Sequence, residues 1–326
     1  MKAIIIDEQS PARSLHLETV PDPVVDRHQV LIAVRAASVN RADLRRAATH
    51  FAATDKKGYP IAGLELAGEV VEIGSEVTGF AVGDRVMAMA GGAFAELAAI
   101  DYRFAVRVPS TMTWEAAAAT PVSFITAHNA MVTAGKFRVG DSVLVQGASS
   151  GAGIATVQIA RLRGASLIFG TAGSKEKLQR LTTLGCDVTI NYREDDVAVV
   201  VNEHTKSEGV SLTVDYAGGN TLQKSIAAAA IHGRIVCAGR VAGTDVTFNI
   251  DEFSRRQIEM TGVTNRTRTL EERIGVVNSF AKDLYPYLES GVLQPVIDST
   301  YPLSEAEAAY EYMSSNRHFG KIVLKV

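Results

Sequence analysis

Val143-Leu144-Val145-Gln146-Gly147-Ala148-Ser149-Ser150-Gly151-Ala152-Gly153 is the stretch on which the fold turns. An apolar strand-like run enters a turn of small residues, and a helical pattern follows directly. Such a turn lets backbone approach a pyrophosphate, which then rests on the free N–H groups and positive dipole end of the helix. Strict G-x-G-x-x-G is not met, because Ala148 and Ser150 fill the first two glycine places and only Gly153 the third. The same turn, as Gly147-Ala148-Ser149-Ser150-Gly151, also satisfies G-x-S-x-G, the elbow that exposes a nucleophilic serine. Two chemistries therefore compete over one loop.

Outward from the turn, short apolar strands at 142–146, 167–171, 188–191, 212–215 and 234–238 alternate with helical stretches at 152–163, 175–184, 195–204 and 220–231. Strand–helix alternation of this kind predicts a doubly wound parallel sheet, an α/β fold. The first ~110 residues have a different texture: alternating segments such as Gln29-Val30-Leu31-Ile32-Ala33-Val34-Arg35 lie between turn residues, which predicts a β-rich domain. After an amphipathic stretch at 270–289, Lys321-Ile322-Val323-Leu324-Lys325-Val326 returns to a β pattern and is expected to rejoin that first domain.

The chain has 326 residues, about two domains' worth, with 47% hydrophobic and 21% charged residues, which excludes disordered and fibrous classes. Lys and Arg number 33 against 36 Asp and Glu, a net charge of −3 without a basic stripe, so neither nucleic acid nor a membrane is expected as a partner. The N-terminal Ala3-Ile4-Ile5-Ile6 is too short for a signal-peptide core, and Cys186 and Cys237 are the only cysteines. A cytoplasmic setting is expected.

The two readings of the turn make different demands downstream. A hydrolase built on Ser149 needs an acid and then a histidine, and only His204, His232 and His318 follow, none in an evident loop after a carboxylate-bearing strand. A nucleotide site needs a ribose-reading group about twenty residues on, where Gly170-Thr171-Ala172-Gly173-Ser174-Lys175-Glu176-Lys177 stands. No carboxylate ends that strand, while Ser174, Lys175, Lys177 and Arg180 supply donors, which suits a 2′-phosphate better than a bare hydroxyl. A short-chain dehydrogenase would place such a turn at its N-terminus and follow it with Tyr-x-x-x-Lys; no tyrosine here has a lysine four residues later.

Along nearly its whole length the sequence resembles the zinc-free quinone oxidoreductases of the medium-chain dehydrogenase/reductase superfamily. The resemblance rests on Asn40-Arg41-Ala42-Asp43-Leu44, Gly63-Leu64-Glu65-Leu66-Ala67-Gly68, Gly83-Asp84-Arg85-Val86, the 147–153 turn, Thr171-Ala172-Gly173-Ser174, Ile190-Asn191-Tyr192 and Phe319-Gly320-Lys321-Ile322-Val323-Leu324. It is most similar to the p53-inducible quinone oxidoreductase subgroup. The resemblance implies a GroES-like catalytic domain from 1–120 and 265–326, a Rossmann domain at 121–264 that binds NADPH, and a homodimer.

By the same resemblance Asn40 and Thr126 would lie near the nicotinamide, and Ser150, Gly151, Ala152 and Gly153 at the pyrophosphate. Gly173, Ser174, Lys177 and Tyr192 would surround the 2′-phosphate, and Ala217, Gly239, Arg240 and Phe319 fall at matching backbone positions. Asn40 also reads as the cap of a helix. Zinc-dependent relatives carry ligands where this chain has Asn40, Leu64 and a residue near Val122, so no metal is expected. In the loop after Leu44, Arg45, His50 and Phe51 depart from the subgroup, leaving Tyr59 beside Asn40 as the candidate catalytic group. The leading expectation is NADPH-dependent reduction of a quinone or α,β-unsaturated carbonyl. A structural or binding role, as in zeta-crystallin relatives, and a Ser149 hydrolase are the alternatives.

Overall fold

A computed structural model describes residues 1–7, 14–45 and 60–326. The described strands, in chain order, are β1 (Lys2–Ile6), β2 (Leu15–Thr19), β3 (Gln29–Val39), β4 (Leu66–Ile73), β5 (Arg85–Ala88), β6 (Leu97–Asp101), β7 (Ala105–Arg107) and β8 (Ser142–Gln146). They continue with β9 (Leu167–Ala172), β10 (Val188–Asn191), β11 (Val210–Asp215), β12 (Ala229–Cys237), β13 (Glu259–Gly262), β14 (Ile297–Pro302) and β15 (Lys321–Lys325). The chain divides into two compact units, Met1–Val122 with Arg268–Val326, and Ser123–Thr267.

In the first unit β14, β15, β3, β4, β5 and β7 lie side by side, and β6 pairs with β3. The eleven residues of β3 keep Val30, Ile32, Val34 and Val39 in the core, and register shifts at 31/32 and 34/36 bend it. That bend lets one strand serve β4, β6 and β15 in turn. The C-terminal strand does rejoin the first part of the chain: β15 runs antiparallel to β3, with Ile322 opposite Val39 and Leu324 opposite Ala37. Helix Leu270–Glu289 also belongs to this unit; a Thr269/Glu272 capping box starts it, and Ile274, Val277, Phe280, Leu284 and Leu288 form its buried stripe.

The second unit is an all-parallel sheet in the order β10-β9-β8-β11-β12-β13. Numbered from β8 this is 3-2-1-4-5-6, the doubly wound dinucleotide-binding order. Val143, Leu144 and Val145 are fully buried, as expected for a central strand covered on both faces. Helices Gly151–Leu162, Lys175–Thr183, Val197–His204 and Thr221–Ala228 connect the strands. Two adjoining boundaries differ from expectation: the helix expected over 220–231 ends at Ala228, and the strand expected at 234–238 starts at Ala229, which already pairs with Val210. The alanine run there has no periodicity of its own, so the sheet decides. Among the described residues no helix is long and apolar enough to cross a membrane.

Candidate functional site

In the second unit, the 147–153 turn sits at the C-terminal end of β8, the centre of the sheet, where the strand order reverses. Gly147 adopts φ +74, a left-handed conformation that glycine tolerates. Its N–H donates to Thr171 Oγ1 at 3.0 Å, Ala148 N–H donates to Thr171 O at 3.0 Å, and Thr171 Oγ1 donates to Gln146 Oε1 at 3.0 Å. The turn is thus pinned to β9. Ser150 caps the following helix: its Oγ accepts from Gly153 N–H at 3.1 Å and donates to Gly147 O at 2.9 Å. Gly151 and Ala152, as the first two helical residues, present N–H groups without an intrahelical acceptor. Gly153 is packed so closely that an added Cβ would lie 2.4 Å from Gly147 O.

The next strand end carries the second half of the expected site. Ser174 caps helix Lys175–Thr183 through Lys177 N–H at 3.4 Å, and half-buried Lys177 stands in its first turn. Gly173 lies under Tyr192: a Cβ there would meet Tyr192 Oη at 2.6 Å and Arg193 Nε at 3.1 Å. Ser174, Lys177, Tyr192 and Arg193 therefore gather at one corner, with no carboxylate at the end of β9. Arg193 is an addition; it lies after β10 and no spacing from the turn points to it.

At the ends of β11 and β12, Ala217, Gly239 and Arg240 occupy the same edge of the sheet. Asp215, buried and absent from the sequence expectations, holds this part together by accepting from Ala217 N–H at 2.8 Å, Gly218 N–H at 2.9 Å and Thr221 Oγ1 at 2.6 Å. A Cβ at Gly239 would fall 1.7 Å from Tyr216 O. Tyr216 is buried with its hydroxyl 2.6 Å from Thr156 Oγ1, and burial pushes that phenol well above its usual range. Ser149 has no imidazole hydrogen-bonded to it among the described residues, and His204 spends its Nδ1 on Val200 O. Cys186 is buried and its thiol is pushed up to about 12, so it is packing material.

In the first unit Asn40 follows β3 and is 8% exposed. It does not cap a helix through its side chain, as the sequence pattern suggests. Instead its backbone N–H donates to Asp43 Oδ2 at 2.7 Å, and a short 3₁₀ turn, Asp43–Arg45, follows. The carboxamide is fully engaged: Nδ2 donates to Ser38 O at 3.1 Å and to Glu65 Oε1 at 2.9 Å, and Oδ1 accepts from Lys321 Nζ at 2.6 Å. Burial pushes the Asp43 carboxyl up to about 7, with Glu65 adding to the rise, against the pull of Asn40 N–H and the Lys321 ammonium. Leu64 and Val122 offer no ligating side-chain atom, so these three positions do not fit a zinc ion. Thr126 is half-buried in helix Pro121–His128, and buried Phe319 donates its N–H to Asp298 Oδ1 at 2.9 Å. Tyr59, His50 and Phe51 lie outside the described residues.

A glycine-rich turn at the switch point of a 3-2-1-4-5-6 sheet, joined in one chain to a β-rich unit drawn from both of its ends, defines a two-part dinucleotide-dependent oxidoreductase. Residues 26–110 match the alcohol dehydrogenase GroES-like domain, and residues 184–324 match the zinc-binding dehydrogenase family. A quinone oxidoreductase from Lama guanicoe is 30% identical over 99% of this chain and 97% of its own. Among solved structures, a Pseudomonas syringae quinone oxidoreductase superposes with a TM-score of 0.86 at 26% identity, covering 100% of this chain and 99% of that one. The CurK enoyl reductase gives a TM-score of 0.86 at 26% identity, over 99% and 98%. The chain belongs to the quinone oxidoreductase family of the medium-chain dehydrogenase/reductase superfamily.

Proposed function

We propose that the protein is an NADPH-dependent reductase that passes hydride to quinones or other electron-poor conjugated carbonyls without a metal ion. The observation that carries the cofactor part is the pairing of a Ser150-capped helix start with a Ser174, Lys177, Tyr192 and Arg193 corner at adjacent ends of β8 and β9. Bound there, NADPH supplies the hydride. The protein's share is orientation: Gly151 and Ala152 N–H groups receive the pyrophosphate, and the basic corner meets the 2′-phosphate. Ala217, Gly239 and Arg240 line the same edge toward the rest of the dinucleotide.

The first unit supports the metal-independent part of this reading. With Asn40 committed to Lys321 and Glu65 and with aliphatic residues at 64 and 122, these three positions hold no group that would polarise a carbonyl as a Lewis acid does. An unactivated ketone then yields a poorly stabilised alkoxide, whereas a quinone or enone spreads the incoming charge over its conjugated system. Both Asn40 amide protons point to protein acceptors, so Asn40 contributes by position, and Tyr59 is the proposed proton donor. Relatives titled quinone oxidoreductase and enoyl reductase support both acceptor classes.

The test is NADPH consumption on a matched enone and saturated ketone, with and without a chelator. The reading expects rapid enone turnover, near-background ketone turnover and no response to chelator. Efficient ketone reduction, or loss of activity on chelation, refutes it.

A further inference from the structure

Lys321 has an ammonium that the reaction scheme above leaves without a task. It is 3% exposed, and all three of its N–H donors are spent: on Val39 O at 3.1 Å, Asn40 Oδ1 at 2.6 Å and Glu65 Oε1 at 2.6 Å. Glu65, fully buried, uses Oε1 also for Asn40 Nδ2 at 2.9 Å, while its Oε2 accepts Val122 N–H at 2.7 Å. Taking both ions of this pair out of water carries a large desolvation cost, and replacing a buried ion pair by apolar residues of similar volume is often neutral or stabilising. Stability alone is therefore a poor reason for its presence.

Its position supplies a better one. The ammonium and carboxylate together hold the Asn40 carboxamide and the Val122 backbone N–H, at two of the three places where zinc-dependent relatives would gather side chains round a metal, and Glu65 itself directly follows the third, Leu64. We infer that the Lys321 ammonium is a tethered cation that takes over the organising role of a metal at this site, acting as a positioning residue for Asn40 and as the counter-charge of Glu65. The inference rests on the reductase reading above. Without Lys321 the Asn40 carboxamide loses its acceptor-side anchor and can rotate. Glu65 then stands as an uncompensated buried carboxylate one hydrogen bond from Asn40, where it opposes negative charge developing on a reduced carbonyl.

Lys321→Ala removes the ammonium with the three methylenes that precede it, a gap that n-propylammonium fills and tetramethylammonium, charged but without N–H groups, does not replace. We expect Lys321→Ala to lower kcat on an enone roughly 10–100-fold while leaving NADPH affinity, read by fluorescence, unchanged. Added n-propylammonium should raise both kcat and the unfolding midpoint of this variant in a saturable way, and tetramethylammonium should do neither. Glu65→Leu with Lys321→Met separates organisation from stability: the double variant should unfold near the wild-type temperature yet keep the low kcat, unaided by n-propylammonium. Wild-type kcat in the double variant, or equal action of the two ammonium ions, overturns the inference. If the wild-type enzyme binds no NADPH or turns over no enone, it is the reductase reading that fails; the selective effect of n-propylammonium on the Lys321→Ala midpoint then still decides whether an ammonium organises these residues.

Discussion

Gly153→Ala adds a single methyl group at the tightest point of the proposed pyrophosphate cradle. Its Cβ would lie 2.4 Å from Gly147 O and 2.7 Å from both Ala148 Cα and Ala148 O, all backbone atoms that cannot rotate away. Ordinary contact begins at 3.4 Å, so helix Gly151–Leu162 must move by about 1 Å from the turn that β8 feeds. A shift of that size takes an N–H···O contact from about 2.9 Å to beyond hydrogen-bonding range. Two charge-assisted bonds, from Gly151 and Ala152, are at stake, each about 1.5–3 kcal/mol. NADPH affinity should therefore fall by roughly two to four powers of ten. The strain itself costs about 1–3 kcal/mol, which a domain of this kind can survive. Gly275→Ala is the control, since its Cβ meets nothing within 4 Å in helix Leu270–Glu289, and it should gain about 0.5–1 kcal/mol and leave binding alone. Fluorescence titration of NADPH, beside a thermal melt of each variant, reads both quantities. A folded Gly153→Ala that binds NADPH as well as wild type would refute the cradle.

Lys177→Ala should weaken NADPH about tenfold or more and leave NADH nearly unchanged, because the 2′-phosphate that its ammonium would meet is the one group NADH lacks; equal losses in parallel titrations would end the 2′-phosphate assignment. Asp43 gives a pH dependence whose sign follows from its raised carboxyl. The folded state keeps the proton up to about 7 whereas an ordinary aspartic acid side chain releases it near 3.8, so stability is fully present below about 4 and is lost as the pH rises through 7. Asp43→Asn, which keeps an acceptor for Asn40 N–H, should remove that loss. Its melting midpoint should exceed wild type by an increasing margin between pH 4 and pH 8, on the order of a few kcal/mol at the upper end; a constant margin would contradict the burial argument.

The alternation of strand and helix from Ser142 was legible because each strand is central and continuously apolar, and β8, β10 and helix Leu270–Glu289 fall at their expected bounds. β13 was not legible: four residues, Glu259–Gly262, mostly exposed at the sheet edge, carry no period. The turn could be located but not assigned from its own letters, since Ser149 suits an elbow nucleophile as well as a loop; that no imidazole is hydrogen-bonded to Ser149 among the described residues is a fact of three dimensions. Lys321 and Glu65 sit within motifs visible in the sequence, yet a lysine in Lys-Ile-Val-Leu-Lys reads as the solvent face of a strand. Only the pairing of β15 with β3 brings it beside Asn40. Asp215 was missed for a like reason, its partners being backbone N–H groups that no side-chain motif records.

The split of the first unit sets an order of events during synthesis. β3 and Lys321 are 282 residues apart along the chain, and the whole of Ser123–Thr267 emerges between them. Until β15 arrives, the edge of β3 that it will occupy, beginning at Val39, is an unpaired strand edge, and Glu65 has no cation to meet. The second unit, by contrast, holds all six of its parallel strands in one uninterrupted segment and can close on its own. A nascent chain would thus carry a finished nucleotide fold while its partner domain still waits for the strand that completes the sheet and, in the same step, delivers the site's only buried ammonium among the described residues. Loss of that strand through a late frameshift or C-terminal proteolysis would leave a chain able to capture a dinucleotide but lacking the charge that organises Asn40.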